Sequence, residues 1–441
     1  MNRPTPGWFR HAPSVPLAIA ALLATSGGAG AQPCTPEWSA LGTGVNNNQV
    51  FALTVFDGSL IAGGMFTAAG GVAGTTRIAR WDGQGWSALG SGINNLVFTL
   101  GTFEGGLYAG GSFTAAGVVP ALRVARWDGT AWSALGSGID GGYVRSLTVF
   151  DDGTGAALYT GGFFTSAGGV PANHIARWDG LAWSAPGIGM DSPVWPIAGF
   201  GGDLYAGGFF TIAGGVPAVY ISRWDGESWS PVGSGGLNGA VLTLALFDGD
   251  LYAGGFFTTA GGVIANQIAR WDGAAWSALG TGVAGGNVQA LAAFDDGSGP
   301  ALYVGGAFTS AGGVAGTGRI ARWDGESWSS VAGGTNNAVN ALTVYDDGGG
   351  PALYVGGGFT NAGGVPANRI ARWGCPPAAP CYANCDGSTT APVLNVQDFS
   401  CFLARYAAGE AYANCDGSTT APVLNVEDFS CFLNEYAAGC S

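Results

Sequence analysis

The sequence predicts an all-β protein, a seven-bladed β-propeller, followed by a small disulfide-rich α/loop module. Three observations predict it. A Trp-Ser pair recurs seven times, at Trp38, Trp86, Trp132, Trp183, Trp229, Trp276 and Trp328, in steps of 46 to 52 residues. A second tryptophan, preceded by arginine, closes each unit: Trp81, Trp127, Trp178, Trp224, Trp271, Trp323 and Trp373. Near the C-terminus, residues 382–409 and 412–439 are two copies that differ at three positions, Gln397/Glu427, Ala404/Asn434 and Arg405/Glu435.

Each long unit reads as four strands. Trp-Ser-Ala-Leu is the first, and an apolar run such as 50–56 is the second. Leu-Tyr-Ala-Gly-Gly-x-Phe (107–113) is the third, and Ile-Ala-Arg-Trp (268–271) is the fourth. Asp-Gly or a longer glycine loop follows the second strand and Asp-Gly follows the fourth, which are hairpin signals. Units three, six and seven carry longer turns, at Asp151-Asp152, Asp295-Asp296 and Asp346-Asp347, which explains the longer steps. Four short strands at this period suit a propeller blade. A parallel β-helix usually has shorter coils and no paired tryptophans.

The chain of 441 residues holds 15 basic residues, all of them arginine, against 29 acids, for a formal charge of −14. Such a surface repels phosphate backbones and anionic lipid, so nucleic acid is not an expected partner. The 82 glycines would suggest disorder if they had no pattern, but here they recur at fixed spacing beside aromatic residues. Residues 1–31 read as a signal peptide: Arg3 and Arg10 precede a short apolar run at 15–24, and Ala29-Gly30-Ala31 is a small-residue cleavage site. That run is too short to span a bilayer comfortably, and no other stretch suggests a membrane span. All eight cysteines lie beyond the cleavage site, an even number that in an exported chain argues for disulfides. The expected organisation is therefore a signal peptide (1–31), the propeller (32–375), a Pro-rich linker (376–380) and a two-repeat module (381–441), in a secreted protein, extracellular or at the cell surface.

The Gly-Gly pair after an apolar strand, with a tryptophan downstream, resembles the kelch repeat and the propellers of the galactose oxidase type. It is also similar to the repeats of Rax2-like cell-surface proteins. The Trp-Asp dipeptide resembles WD repeats, without the Gly-His half of that signature. These resemblances cover about residues 38–373 and imply the fold more than any activity.

Ring closure follows from the strand order. The chain enters on the strand type that completes a blade and leaves on the type before it, so the strand at Trp38 should join the last three. No covalent turn exists at that seam. Cys34 and Cys375 fall where the missing hairpin would be, and a Cys34–Cys375 disulfide is expected to replace it, stabilising by roughly 3–5 kcal/mol in the chain-entropy model. The seven arginines beside the closing tryptophans read as repeated ion pairs or stacking contacts. With the apolar second strand innermost, the loops at 46–48, 94–95 and 167–173 would share one face, the expected binding surface.

In the C-terminal copies, oxygen donors, a glycine and a closing carboxylate occur in the order a calcium loop needs. Asn384, Asp386, Asn395 and Asp398 form one set, around Gly387; Asn414, Asp416, Asn425 and Asp428 form the other, around Gly417. Short helices are expected over 399–406 and 429–436, with Asp398 and Asp428 at their starts, where a carboxylate suits the dipole. Symmetry suggests the disulfides Cys385–Cys401 and Cys415–Cys431, leaving Cys381–Cys440 to clasp the ends; six cysteines allow fifteen pairings. Two loop-helix repeats of this kind resemble a dockerin, in particular the cysteine-containing type. That resemblance implies calcium-dependent binding to a cohesin-like partner. Phe402, Leu403, Tyr406, Phe432, Leu433 and Tyr436 are the expected contacts, with core packing the competing role for the phenylalanines. Two features depart from the dockerin pattern: Tyr382 and Tyr412 stand at the usual first loop position, and about five extra residues interrupt each loop.

The function expected is a secreted, non-catalytic binding and anchoring protein. A lectin-like propeller and a carbohydrate-active enzyme are the alternatives. The mature chain has one histidine, His174, which reads as a surface variant of a slot filled elsewhere by Arg77, Gln267 or Arg319. No convincing catalytic constellation is apparent.

Overall fold

In every repeat the second strand carries a valine at or next to its start, and this strand becomes the inner edge of a four-stranded antiparallel sheet. The computed structural model describes residues 35–376 and 400–404. Within 35–376 there are seven such sheets, each running from an inner strand through two middle strands to a short outer strand. The first holds Val50–Phe56, Ser59–Gly64, Ile78–Trp81 and Trp86–Ser87. The inner strands are Val50–Phe56, Val97–Phe103, Tyr143–Asp151, Val194–Phe200, Val241–Phe247, Val288–Asp295 and Val339–Asp346. Each lies against the next, and the seventh lies against the first. A closed ring of radially stacked four-stranded sheets is a β-propeller.

The seam closes as the strand order requires. Glu37–Ala40 is the outer strand of the seventh sheet, pairing Glu37 with Gly374, Trp38 with Trp373, Ser39 with Arg372 and Ala40 with Ala371. The joint therefore uses the N-terminal strand as the fourth strand of the C-terminal sheet.

The Gly-Gly motif has a packing cause at both positions. A Cβ on the first glycine would meet the valine of the next sheet: at Gly63 it would lie 2.6 Å from Val97 Cγ1, and at Gly356, across the seam, 2.6 Å from Val50 Cγ1. Each valine is thus a knob in a hole that only glycine leaves open, which ties the sheets together around the ring. A Cβ on the second glycine would collide with a backbone carbonyl of the inner strand's approach: Gln49 for Gly64, Leu96 for Gly111. Here the two backbones approach too closely for any side chain.

Paired tryptophans hold the rim. Trp127 stands opposite Trp132 across the outer hairpin, and the two ring centroids are 5.3 Å apart. The same pair recurs in every sheet, including Trp38–Trp373 at 5.2 Å. The indole N–H of each Trp-Ser tryptophan donates to a backbone carbonyl of the preceding sheet's rim. Trp86 reaches Leu41 O at 3.1 Å, Trp132 reaches Leu89 O at 3.0 Å, and Trp38 reaches Val331 O at 3.2 Å across the seam. Burying an aromatic side chain stabilises by about 1.5–3 kcal/mol, and a tilted aromatic pair adds about 0.5–1.5.

The arginines beside these tryptophans make local structural contacts, as their repetition suggests. Arg223 pairs with Asp203 at 3.2 Å and Arg270 with Asp250 at 2.5 Å. Arg80 donates to Ser59 Oγ at 2.8 Å, and Arg322 to Gly299 O at 2.8 Å.

In the other unit, residues 400–404 are helical, within the first helix expected of the module. Phe402 is fully buried there and Leu403 is 41% exposed. The metal-ligand residues, the contacts Tyr406, Phe432, Leu433 and Tyr436, the signal peptide, and all cysteines except Cys375 and Cys401 lie outside the described residues.

Candidate ligand-binding site at the channel mouth

The inner strands line a channel along the ring axis, and one residue per strand shapes its mouth. Each strand begins its pairing with valine, or in the third sheet with Tyr143 and then Val144, and a β-bulge follows the valine. The ladder slips between Val50 and Ala52, between Val97 and Thr99, and by one residue likewise in four other sheets, while in the fourth sheet the break runs from Val194 to Ile197. A bulge re-aims a side chain out of the alternating pattern. The residues that follow the valines, Phe51, Phe98, Arg145, Trp195, Leu242, Gln289 and Asn340, all border one cavity of about 520 Å³. A narrower chamber of about 210 Å³ lies beyond this ring, lined by residues such as Leu53, Leu100, Leu147-adjacent Ser146, Ile197 and Leu244.

The mouth has two chemically different halves. On one side runs an aromatic arc: Phe51 to Phe98 at 5.5 Å, Phe98 to Tyr143 at 5.5 Å, and Tyr143 to Phe163 at 6.0 Å between centroids. Trp195 continues it, with Phe209 edge-on at 5.2 Å. The other side carries amides. Asn340 Nδ2 donates to Gln49 Oε1 at 2.9 Å and to Val50 O at 3.1 Å, and Gln289 Nε2 donates to Asn287 Oδ1 at 3.2 Å.

Arg145 stands within the aromatic half. Its guanidinium carbon lies 4.6 Å from the Trp195 ring centroid and 5.8 Å from that of Phe98. Nη1 donates to Phe98 O at 3.1 Å. Among the described residues no carboxylate forms a salt bridge with it. Removal from water pulls its pKa down to about 10, which still leaves it charged at neutral pH. The Trp195 Nε1–H is buried without a hydrogen-bond partner.

The loops expected to form the binding face do come together, but their asparagines serve the fold. Asn46 Oδ1 accepts from Thr67 N at 3.1 Å and Ala68 N at 2.7 Å. Asn94 Oδ1 accepts from Thr114 N and Ala115 N at 3.0 and 3.1 Å. Asp191, Asn238 and Asn336 repeat the same clasp in other sheets. A side chain that saturates two backbone amides is a structural brace.

His174 is not a surface residue. It is buried, stacked on Phe163 with centroids 5.8 Å apart, and burial lowers its pKa below the usual histidine value. Its backbone is left-handed (φ 67°), as at Arg77, Gln267 and Arg319 in the same slot.

At the opposite ends of the strands a cleft of about 590 Å³ is bordered by Asp57, Glu104 and Asp128. Asp128 Oδ1 is already engaged by its own turn, accepting from Thr130 N and Ala131 N at 2.8 Å, which holds its pKa low, at about 2. Among the described residues no group of three or more His, Cys, Asp or Glu is placed to hold a metal ion, and no helix is long and apolar enough to cross a membrane.

Sequence reasoning did not single out the mouth residues, because the second strand of each unit was read as uniformly apolar. The signal lies in aligning the seven copies: valine at one position, then Phe, Phe, Arg, Trp, Leu, Gln and Asn at the next.

No protein-family model matches the chain, and no curated protein matches it. Solved structures do match. The WD40 β-propeller domain of Doa1 has a TM-score of 0.43 and 12% identity, covering 81% of this chain and 99% of that one. The computationally designed Ika8 protein has a TM-score of 0.41 and 15% identity, covering 75% and 98%. The closed ring of sheets by itself makes this chain a β-propeller, with a ligand-sized cavity at one end of its axis.

Proposed function

We propose that the chain is an exported, non-catalytic binding protein: a seven-bladed propeller that holds its ligand at the channel mouth, and a dockerin-like module that anchors it. One observation carries the binding site. The repeats agree where they pack and differ at positions that face the mouth, above all the one after a constant valine, where Phe, Arg, Trp, Leu, Gln and Asn all occur. A position freed from packing constraint and filled with aromatic, cationic and amide groups is the composition of a ligand pocket.

The aromatic arc facing an amide wall favours a carbohydrate ligand. Aromatic faces stack on the apolar faces of sugar rings while amides pair with hydroxyls. The kelch-like and Rax2-like character of the repeats fits an extracellular display platform. In sequence Cys34 lies three residues before Glu37 and Cys375 directly follows Gly374, the pair that opens the seam ladder, which supports a disulfide between them. In the module, Asn384, Asp386, Asn395 and Asp398, with Asn414, Asp416, Asn425 and Asp428, would hold calcium, and a cohesin-like protein is the partner class.

A glycan array probed with the full chain and with Trp195→Ala tests the binding site. Binding that the substitution removes supports the reading; a blank array, or binding that survives, contradicts it. Calorimetric titration with calcium tests the module: two ions are expected, and no uptake would reject calcium-dependent anchoring.

A further inference from the structure

The channel-mouth reading, on which this inference rests, leaves the charge of the ligand open, and Arg145 decides it. Arginine presents five N–H donors and no acceptor. One of those at Arg145 reaches Phe98 O, its face lies over Trp195, and part of its surface opens to the cavity. The protein carries a formal charge of −14, and several other arginines, such as Arg177, Arg223 and Arg270, have an aspartate within 4 Å. Among the described residues that line the mouth, Arg145 is the one cation, and the others are aromatic rings, amides and the aliphatic Leu242 and Ala338, with no carboxylate. A partly desolvated guanidinium without a carboxylate is costly unless a ligand brings one, and it binds a carboxylate in a paired geometry that neutral groups cannot match.

We propose that the mouth binds an acidic sugar of the uronate class, with the ligand's carboxylate on the Arg145 guanidinium. The apolar face of the ring stacks on the aromatic arc beside Trp195. Its hydroxyls meet the amides of Gln289 and Asn340 on the facing wall. A peptide side chain or a free aromatic acid could present the carboxylate too, but neither brings the row of hydroxyls that the amide wall fits.

The test is calorimetric titration of the full chain with digalacturonate, dimannuronate and diguluronate, then with the methyl esters of whichever binds most tightly, and with benzoate. The expected result is binding of at least one oligouronate, weakened at least about tenfold by esterification, because a charge-assisted hydrogen bond is lost. Benzoate, which keeps the carboxylate and an apolar face but lacks hydroxyls, should bind at least about tenfold more weakly than the oligouronate. Arg145→Gln should bring acid and ester to the same affinity, and Arg145→Lys should restore part of the preference for the acid. Equal binding of acid and ester to the unaltered chain would overturn the role of Arg145 while leaving the mouth as a sugar site. Benzoate binding as tightly as the oligouronate would overturn the sugar. No binding of any oligouronate would overturn the inference, and array binding of neutral glycans that depends on Trp195 would then show that the mouth reading survives it. The ester comparison needs no variant, so it stands even if Arg145→Gln fails to fold.

Discussion

The rim and the mouth of the ring are built by the same seven repeats, yet they obey different rules. At the rim every repeat places the same two tryptophans in the same tilted pair, at 5.1 to 5.3 Å. At the mouth, one residue beyond a constant valine, seven repeats place six different residue types. The difference teaches where packing dictates the residue. A Trp-Ser tryptophan packs on its rim partner and beside a glycine turn and donates to a neighbouring sheet's carbonyl, contacts that a smaller side chain would lose. A mouth residue sits at a bulge and borders the cavity, making only the local contacts its own type allows, such as Phe51 on Phe98 or Asn340 on Gln49, so the fold accepts different types there.

This contrast can be broken from either side. The largest effect is expected at the rim. Trp86→Ala removes a buried indole and its bond to Leu41 O, and should destabilise by about 3–5 kcal/mol in denaturant unfolding. Trp38→Ala, which makes the same contacts across the seam, should cost about as much; a loss below about 1 kcal/mol would show that the seam is held elsewhere. Gly111→Ala comes next. Its Cβ would collide with the Leu96 carbonyl, and overpacking of this kind costs about 1–3 kcal/mol or more, whereas Gly85→Ala, with open space around it, should change stability by about 0.5 kcal/mol or less. Gln289→Ala at the mouth should also stay within about 0.5 kcal/mol while lowering glycan affinity.

The smallest effect concerns pH. Burial lowers the His174 pKa, so as pH falls below about 6.5 the unfolded chain takes up the proton before the folded one does. His174 therefore lowers stability progressively as pH falls from about 6.5 toward its depressed folded value. His174→Gln, which puts the residue of the equivalent fifth-sheet slot there, should flatten the dependence of melting temperature on pH across that window. An unchanged slope would place the sensitivity in other groups.

Much of the frame was legible because each repeat states it again. The Trp-Ser and Arg-Trp pairs gave strand order and period, and the offset between the first and last strand types gave the seam that Trp38–Trp373 pairing displays. The Gly-Gly motif was visible as a marker, but its cause, a valine from the next sheet, is a contact between repeats that no single repeat contains. The two loop sets expected to share a face do meet, but their asparagines are braces. Asn46 and Asn94 look like exposed loop polar groups in sequence, and only the fold reveals that their oxygens brace the neighbouring turn. Arg145, Gln289 and Asn340 were overlooked because a bulge, which alters strand alternation, leaves no mark in the sequence beyond the residue it exposes.

The most direct test of the separation between frame and mouth is an alanine scan of the seven mouth residues beside the seven valines that precede them, reading melting temperature and oligouronate affinity on the same samples. Mouth variants should melt within about 2 °C of the parent and lose binding, while valine variants should melt lower. Mouth variants that melt as low as the valine variants, or that bind as the parent does, would contradict the account.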